Sequence, residues 1–130
     1  MLLRGESGAG KSDLALRLID GGAVLVADDR TVLHCAAGRV LLSAPEALRG
    51  RIEVRGIGIV PVPSVADIPL ALVVDLVPSR AVERMPEARY ETFCGMAVPA
   101  LSLDPRESSA PAKVRLGVCA ATCGILFGQD

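Results

Sequence analysis

The sequence predicts an α/β fold, a mixed sheet with one hairpin and flanking helices. Three observations carry that prediction. A glycine-rich loop from Gly5 to Ser12 stands between a short apolar stub and an amphipathic helix. Ala23 to Ala27 is a continuous apolar run, the pattern of a strand buried on both faces. A hairpin pattern and three further strand candidates then lead to a second helix near the C-terminus.

The elements follow in order. Leu2-Leu3-Arg4 is a strand stub, and Asp13 to Ile19 has helical spacing stopped by Asp20-Gly21-Gly22. The run 23–27 ends in Asp28-Asp29. Thr31 to Cys35 and Arg39 to Leu42 form a hairpin around Ala37-Gly38. Pro45 to Gly50 is a turn or short helix, and Arg51 to Arg55 alternates as a half-buried strand. Gly56 to Pro63 reads as a loop, Leu70 to Leu76 as a second buried strand, and 78–95 as loop. Val98 to Leu103 is a strand candidate. Ser108 and Ser109 can cap a helix from Pro111 to Thr122, stopped near Gly124.

Composition bounds the function. The 130 residues suit one domain, 1–130, and 51% are hydrophobic. With Phe 2, Tyr 1 and Trp 0, the core is aliphatic. Lys+Arg 14 against Asp+Glu 15 gives net charge -1, which argues against disorder and against a nucleic-acid binder. His 1 excludes a mechanism built on several histidines in one chain. The run Ile68 to Val77 is short and broken by Pro69 and Asp75, so no membrane span is expected. Without a signal peptide pattern, the expected location is the cytoplasm. Cys35, Cys94, Cys119 and Cys123 contain no Cys-x-x-Cys pair, and reduced, mostly buried thiols are expected.

Four segments carry chemistry. Gly5-Glu6-Ser7-Gly8-Ala9-Gly10-Lys11-Ser12 matches G-x-x-x-x-G-K-[ST], the phosphate-binding P-loop. Its glycines let backbone N–H groups wrap an anion, and the helix adds its positive end. Lys11 places a charge at the outer phosphates, and the Ser12 hydroxyl can ligate Mg²⁺. Asp28-Asp29 ends the next predicted strand, where a carboxylate can bind Mg²⁺ or take a proton. Arg51, Glu53 and Arg55 alternate onto one face. That pattern suits a metal ligand between guanidiniums, or an ordinary cross-strand charge ladder. Lys113 and Arg115 lie in the first turns of a helix, where cations oppose the dipole; an anionic partner or a solvated face accounts for them equally.

Together these segments resemble the catalytic domain of HPr kinase/phosphorylase. The matches are GESGAGKS from Gly5, LVADDR from Leu25, IEVRGIGIV from Ile52 and PAKVR from Pro111, in that order. IEVRGIGIV is the specific one, since many families share the P-loop. The resemblance implies a P-loop kinase that uses ATP and Mg²⁺ to phosphorylate a serine of HPr, the phosphocarrier of the bacterial sugar phosphotransferase system. It also implies the reverse phosphorolysis, with phosphate consumed and pyrophosphate released. Asp28 takes the role of general base, with Asp29 as its partner. Lys11 assists transfer, and Ser12 and Glu53 hold Mg²⁺. Arg55 matches the arginine of the signature. Lys113 and Arg115 lie in the segment that contacts the protein substrate and a neighbouring subunit, and a homohexamer is expected. The family's unit is longer, with a strand carrying a His upstream of the loop, so this chain reads as a short form truncated at its N-terminus. That loss would leave a sheet edge exposed. With so few aromatics, nucleotide recognition is expected to fall mainly on the phosphates. Two alternatives stand beside this reading: a small-molecule P-loop kinase, and a nucleotide-binding regulatory module without catalysis.

Overall fold

Helix α1 (Lys11–Asp20) buries Leu14 and Leu18, four residues apart on one face. Asp13 in its first turn and Arg17 in its last complement the helix dipole and pair with each other at 3.1 Å. The second helix, α2 (Ala110–Thr122), has Pro111 in its first turn and buries Ala110, Val114 and Gly117. Ser109 occupies its N-cap position but makes no side-chain capping bond. The computed structural model describes residues 1–128.

The strands are β1 (Leu2–Arg4), β2 (Val32–Ala36), β3 (Arg39–Ser43), β4 (Arg51–Val54), β5 (Gly58–Pro61), β6 (Ile68–Pro69), β7 (Val73–Leu76), β8 (Tyr90–Phe93) and β9 (Met96–Leu103). The main sheet runs β1-β7-β9-β8. β1, β7 and β9 are mutually parallel, and β8 is antiparallel to β9, so the expected mixed sheet is present. β2-β3-β6 form a second sheet and β4-β5 a separate hairpin.

The main sheet is covered on both faces. Leu14, Leu18 and Val114 from the helices pack on Val74, Leu76 and Leu103. Val40 and Leu42 of β3 meet Val73, Val98 and Ala100 on the other side. Successive side chains of a strand point to opposite faces, which is why neighbouring Val73 and Val74 belong to different clusters and are both fully buried. Gly117 lets α2 approach closely, since a Cβ there would lie 3.0 Å from Leu101 Cδ1.

An ionic cluster ties the sheet together at β1, β7 and β8. Arg4 donates to Asp75 at 2.8 Å and to Glu91 at 2.6 Å, and Arg89 donates to Asp75 at 2.9 Å. Burial alone would raise the Asp75 carboxyl, but hydrogen bonds from Arg4 and Arg89 and their charges hold it below its ordinary value.

Five expectations change. The run 23–27 is not a strand: its only ladder contact is a bridge from Leu25 to Ser64, and Val24 is 52% exposed. A strand needs a paired neighbour, and towards β1 this segment faces an apolar cleft instead. The predicted loop 56–63 contains β5, because Arg55-Gly56-Ile57 turns the chain back onto β4 in the register Val54↔Gly58. The predicted strand 70–76 shortens to β7, which starts only at Val73, while 70–72 are irregular and β6 lies just before them. β8 emerges from the predicted loop 78–95 through a tight turn at Cys94-Gly95, left-handed at both residues (φ 52 and 79). Finally, Cys35 and Cys94 form a disulfide, and Cys119 and Cys123 are free but exposed rather than buried. The bond joins the β2-β3 hairpin to the tip of β8-β9, closing a covalent loop between residues 59 apart. Among the described residues no helix is long and apolar enough to cross a membrane.

Two outcomes test this architecture. Asp75→Asn is expected to lower stability by about 2 kcal/mol at neutral pH, as expected for lost charge-assisted hydrogen bonds. The depressed carboxyl stabilises the folded chain above its ordinary value of 3.8, and that contribution disappears as pH falls through the lower folded value. Urea unfolding should therefore show a constant gap between wild type and variant above about pH 5 that narrows in stronger acid. Ellman titration of the unreduced protein should find two reactive thiols, and four after reduction and unfolding.

Candidate functional site

The glycine-rich loop leaves β1 at Arg4 and enters α1 at Lys11. Gly10 sits at φ 100, a left-handed conformation that disfavours any side chain. A Cβ there would also come within 3.2 Å of Pro105 Cγ. Within the loop, the Ala9 N–H donates to the Glu6 carbonyl at 2.9 Å. The first bond of the helix is the Leu14 N–H to the Gly10 carbonyl at 3.0 Å, and no side chain caps the end. The amides of Lys11, Ser12 and Asp13 therefore have no intrahelical partner, and the positive end of the dipole lies with them. This is the arrangement that binds an anion.

Lys11, Ser12 and Asp28 line one cleft of about 640 Å³, bounded by β1, α1, α2 and the segment 21–28. Glu53 is brought to Asp28 by a bond that crosses two sequence segments: its backbone N–H donates to Asp28 Oδ2 at 2.9 Å. β4 supports that contact. Ile52 points inward and is 2% exposed, while Arg51 and Glu53 face out. Ser12 and Glu53 are exposed oxygen donors, the kind of group Mg²⁺ takes, and among the described residues no cluster of three or more carboxylate, histidine or cysteine side chains that could hold a metal ion is present.

The remaining predicted residues are less tightly gathered. Gly5, Glu6, Ser7, Gly8 and Ala9 line a second cleft on the other flank of the loop. Asp29 and Arg55 are exposed, and neither makes a side-chain hydrogen bond or ion pair among the described residues. Arg55 falls in the turn after β4 rather than on its face with Arg51 and Glu53. Lys113 pairs with Glu107 at 3.1 Å, so a carboxylate of this chain already relieves part of its conflict with the α2 dipole. The Arg115 guanidinium abuts Gly21, against the C-terminal end of α1, where a cation is favourable.

Three supporting residues escaped the sequence reading. Arg17 donates to the Pro105 carbonyl and, at 3.3 Å, to the Glu107 carbonyl, fastening α1 to the loop after β9. Asp104 accepts from Ser79 Oγ at 2.5 Å and from the Arg106 N–H at 2.9 Å. Those bonds hold its carboxyl below the ordinary value. Asp104-Pro105 announces a turn, but nothing in the sequence names Ser79 as its partner.

The family model described as the HPr serine kinase C-terminal domain matches residues 1–114. An HPr kinase/phosphorylase of Leptothrix cholodnii is 40% identical over 111 residues, covering 75% of this chain and 34% of that protein. One from Clostridium tetani is 48% identical over 64 residues, 49% of this chain and 21% of that protein. This chain thus matches only a fifth to a third of the length of these curated relatives. A solved structure of the Hpr(Ser) kinase/phosphatase from Coxiella burnetii superposes with TM-score 0.82 and 28% identity, covering 93% of this chain and 81% of that one. The mixed α/β fold is shared with that enzyme, and the chain belongs to the HPr serine kinase C-terminal domain family.

Proposed function

We propose that this chain is a P-loop kinase domain that transfers the γ-phosphoryl group of ATP to a serine of HPr, and that it also runs the reverse phosphorolysis. One observation carries the reading most directly. The bond from the Glu53 amide to Asp28 joins two of the motif segments at the cleft that Lys11 and Ser12 also line.

Phosphoryl transfer is mainly a matter of positioning and charge stabilisation. The uncapped amides at the start of α1 and the Lys11 ammonium hold the phosphate chain. Ser12 and Glu53 would hold Mg²⁺, which when bound neutralises charge on the phosphate oxygens. Asp28, anchored through one oxygen to the Glu53 amide, accepts the serine proton through the other. In reverse, inorganic phosphate attacks the phosphoserine phosphorus, pyrophosphate forms, and Asp28 returns a proton to the serine oxygen. Asp29 and Arg55 flank this centre as supporting charges. Lys113 and Arg115 are assigned to contact with HPr, in a homohexamer working in the cytoplasm.

Two variants test the reading with labelled ATP, Mg²⁺ and HPr. Asp28→Asn is expected to slow transfer by about 10²- to 10⁴-fold, the usual contribution of a general base, while ATP still binds. Lys11→Ala is expected to weaken ATP binding by roughly tenfold to a hundredfold in calorimetry. Label appearing on a metabolite instead of HPr would overturn the substrate assignment. ATP binding with no transfer at all would favour a regulatory module.

A further inference from the structure

The second cleft, of about 700 Å³, lies where β1, β7 and β9 end, and no residue lines both clefts. Ligands of open α/β sheets sit beyond the carboxyl ends of the strands. In an in-line displacement the attacking and leaving oxygens occupy opposite sides of phosphorus. With Asp28 serving the attacking hydroxyl in the first cleft, the leaving nucleotide belongs in the second. The volume is within the range of small-molecule sites.

The lining of this cleft is unusual for a base-binding site. It contains no aromatic ring and four arginines. Arg4 and Arg89 are committed to Asp75. Arg80 and Arg106 make no side-chain hydrogen bond or ion pair among the described residues, although Arg106 feels the nearby Asp104 charge. The two loops that carry them are fastened together, since Asp104 accepts from Ser79, next to Arg80, and from the Arg106 amide. A guanidinium is planar, weakly hydrated and stacks on aromatic faces. Resting on the kinase reading above, we infer that the second cleft receives the nucleoside of the triphosphate and that Arg80 and Arg106 hold the base by guanidinium stacking. This extends the expectation from composition, in which recognition falls mainly on the phosphates.

The test compares two triphosphates, one with the nucleoside and one without. Calorimetry would measure Mg²⁺-ATP and Mg²⁺-tripolyphosphate binding to wild type, Arg80→Ala, Arg106→Ala and Arg106→Lys. Each alanine variant is expected to weaken ATP about tenfold and leave tripolyphosphate unchanged. Lysine at 106 is expected to restore little, because the ammonium cannot stack as a plane. Equal losses for both ligands would make the arginines phosphate ligands and overturn the inference. No loss for either would remove the nucleoside from this cleft while leaving the kinase reading intact. Wild type binding neither ligand would instead sink the kinase reading, and this inference with it.

Discussion

Arg17 reaches from the last turn of α1 to the carbonyls of Pro105 and Glu107, and much of the site depends on that reach. It fixes the loop after β9 against the helix, so that Pro105 packs on Gly10 at the point where the glycine-rich loop enters α1. The backbone amides of such a loop bind an anion only if they are held in place before it arrives. A loop of small residues cannot hold itself, because it buries little apolar surface and has much conformational entropy to lose. The neighbouring strand-end loop supplies the rigidity. Ser79 braces it from the β7 side through Asp104, so helix, glycine-rich loop and two strand ends form one unit.

That unit separates two spaces of different character. On one side lie Lys11, Ser12 and Asp28 above an apolar cleft. On the other, the cleft is rich in guanidinium groups, two of which pair with Asp75, one of these, Arg4, also with Glu91. Asp75 is itself a β7 residue whose neighbours Val74 and Leu76 are core. The same strand thus supplies apolar packing to the helices on one face and a counter-charge on the other.

Much of the fold was legible because it obeys local rules. Leu14 and Leu18 mark α1, Pro111 marks the first turn of α2, and Ala37-Gly38 marks a hairpin. The failures were nonlocal. Ala23 to Ala27 has strand composition, yet only Leu25 finds a ladder partner. β8 was hidden because its turn uses Cys94 where Asn or Asp would announce it. The disulfide joins residues 59 apart on different hairpins, a pairing that no spacing rule gives. At the site, the glycine-rich loop and Asp28 were legible as motifs. The contact that joins Asp28 to β4 was not, since it runs to a backbone amide that every residue possesses. For Lys113 the sequence leaves an anionic partner and a solvated face open, and its pairing with Glu107 depends on the shape of the preceding turn.

The β4-β5 hairpin has one further consequence. Because side chains alternate, a slip of one residue in its pairing would turn Ile52 out and Glu53 in. Gly56 and Gly58, at φ 92 and 108, set where the chain reverses, and so fix which amide meets Asp28. The hairpin behaves as a ratchet with a two-residue tooth. The exposed turn 55–57 thus bears on the site from a distance, through the register that seats the Glu53 amide on Asp28.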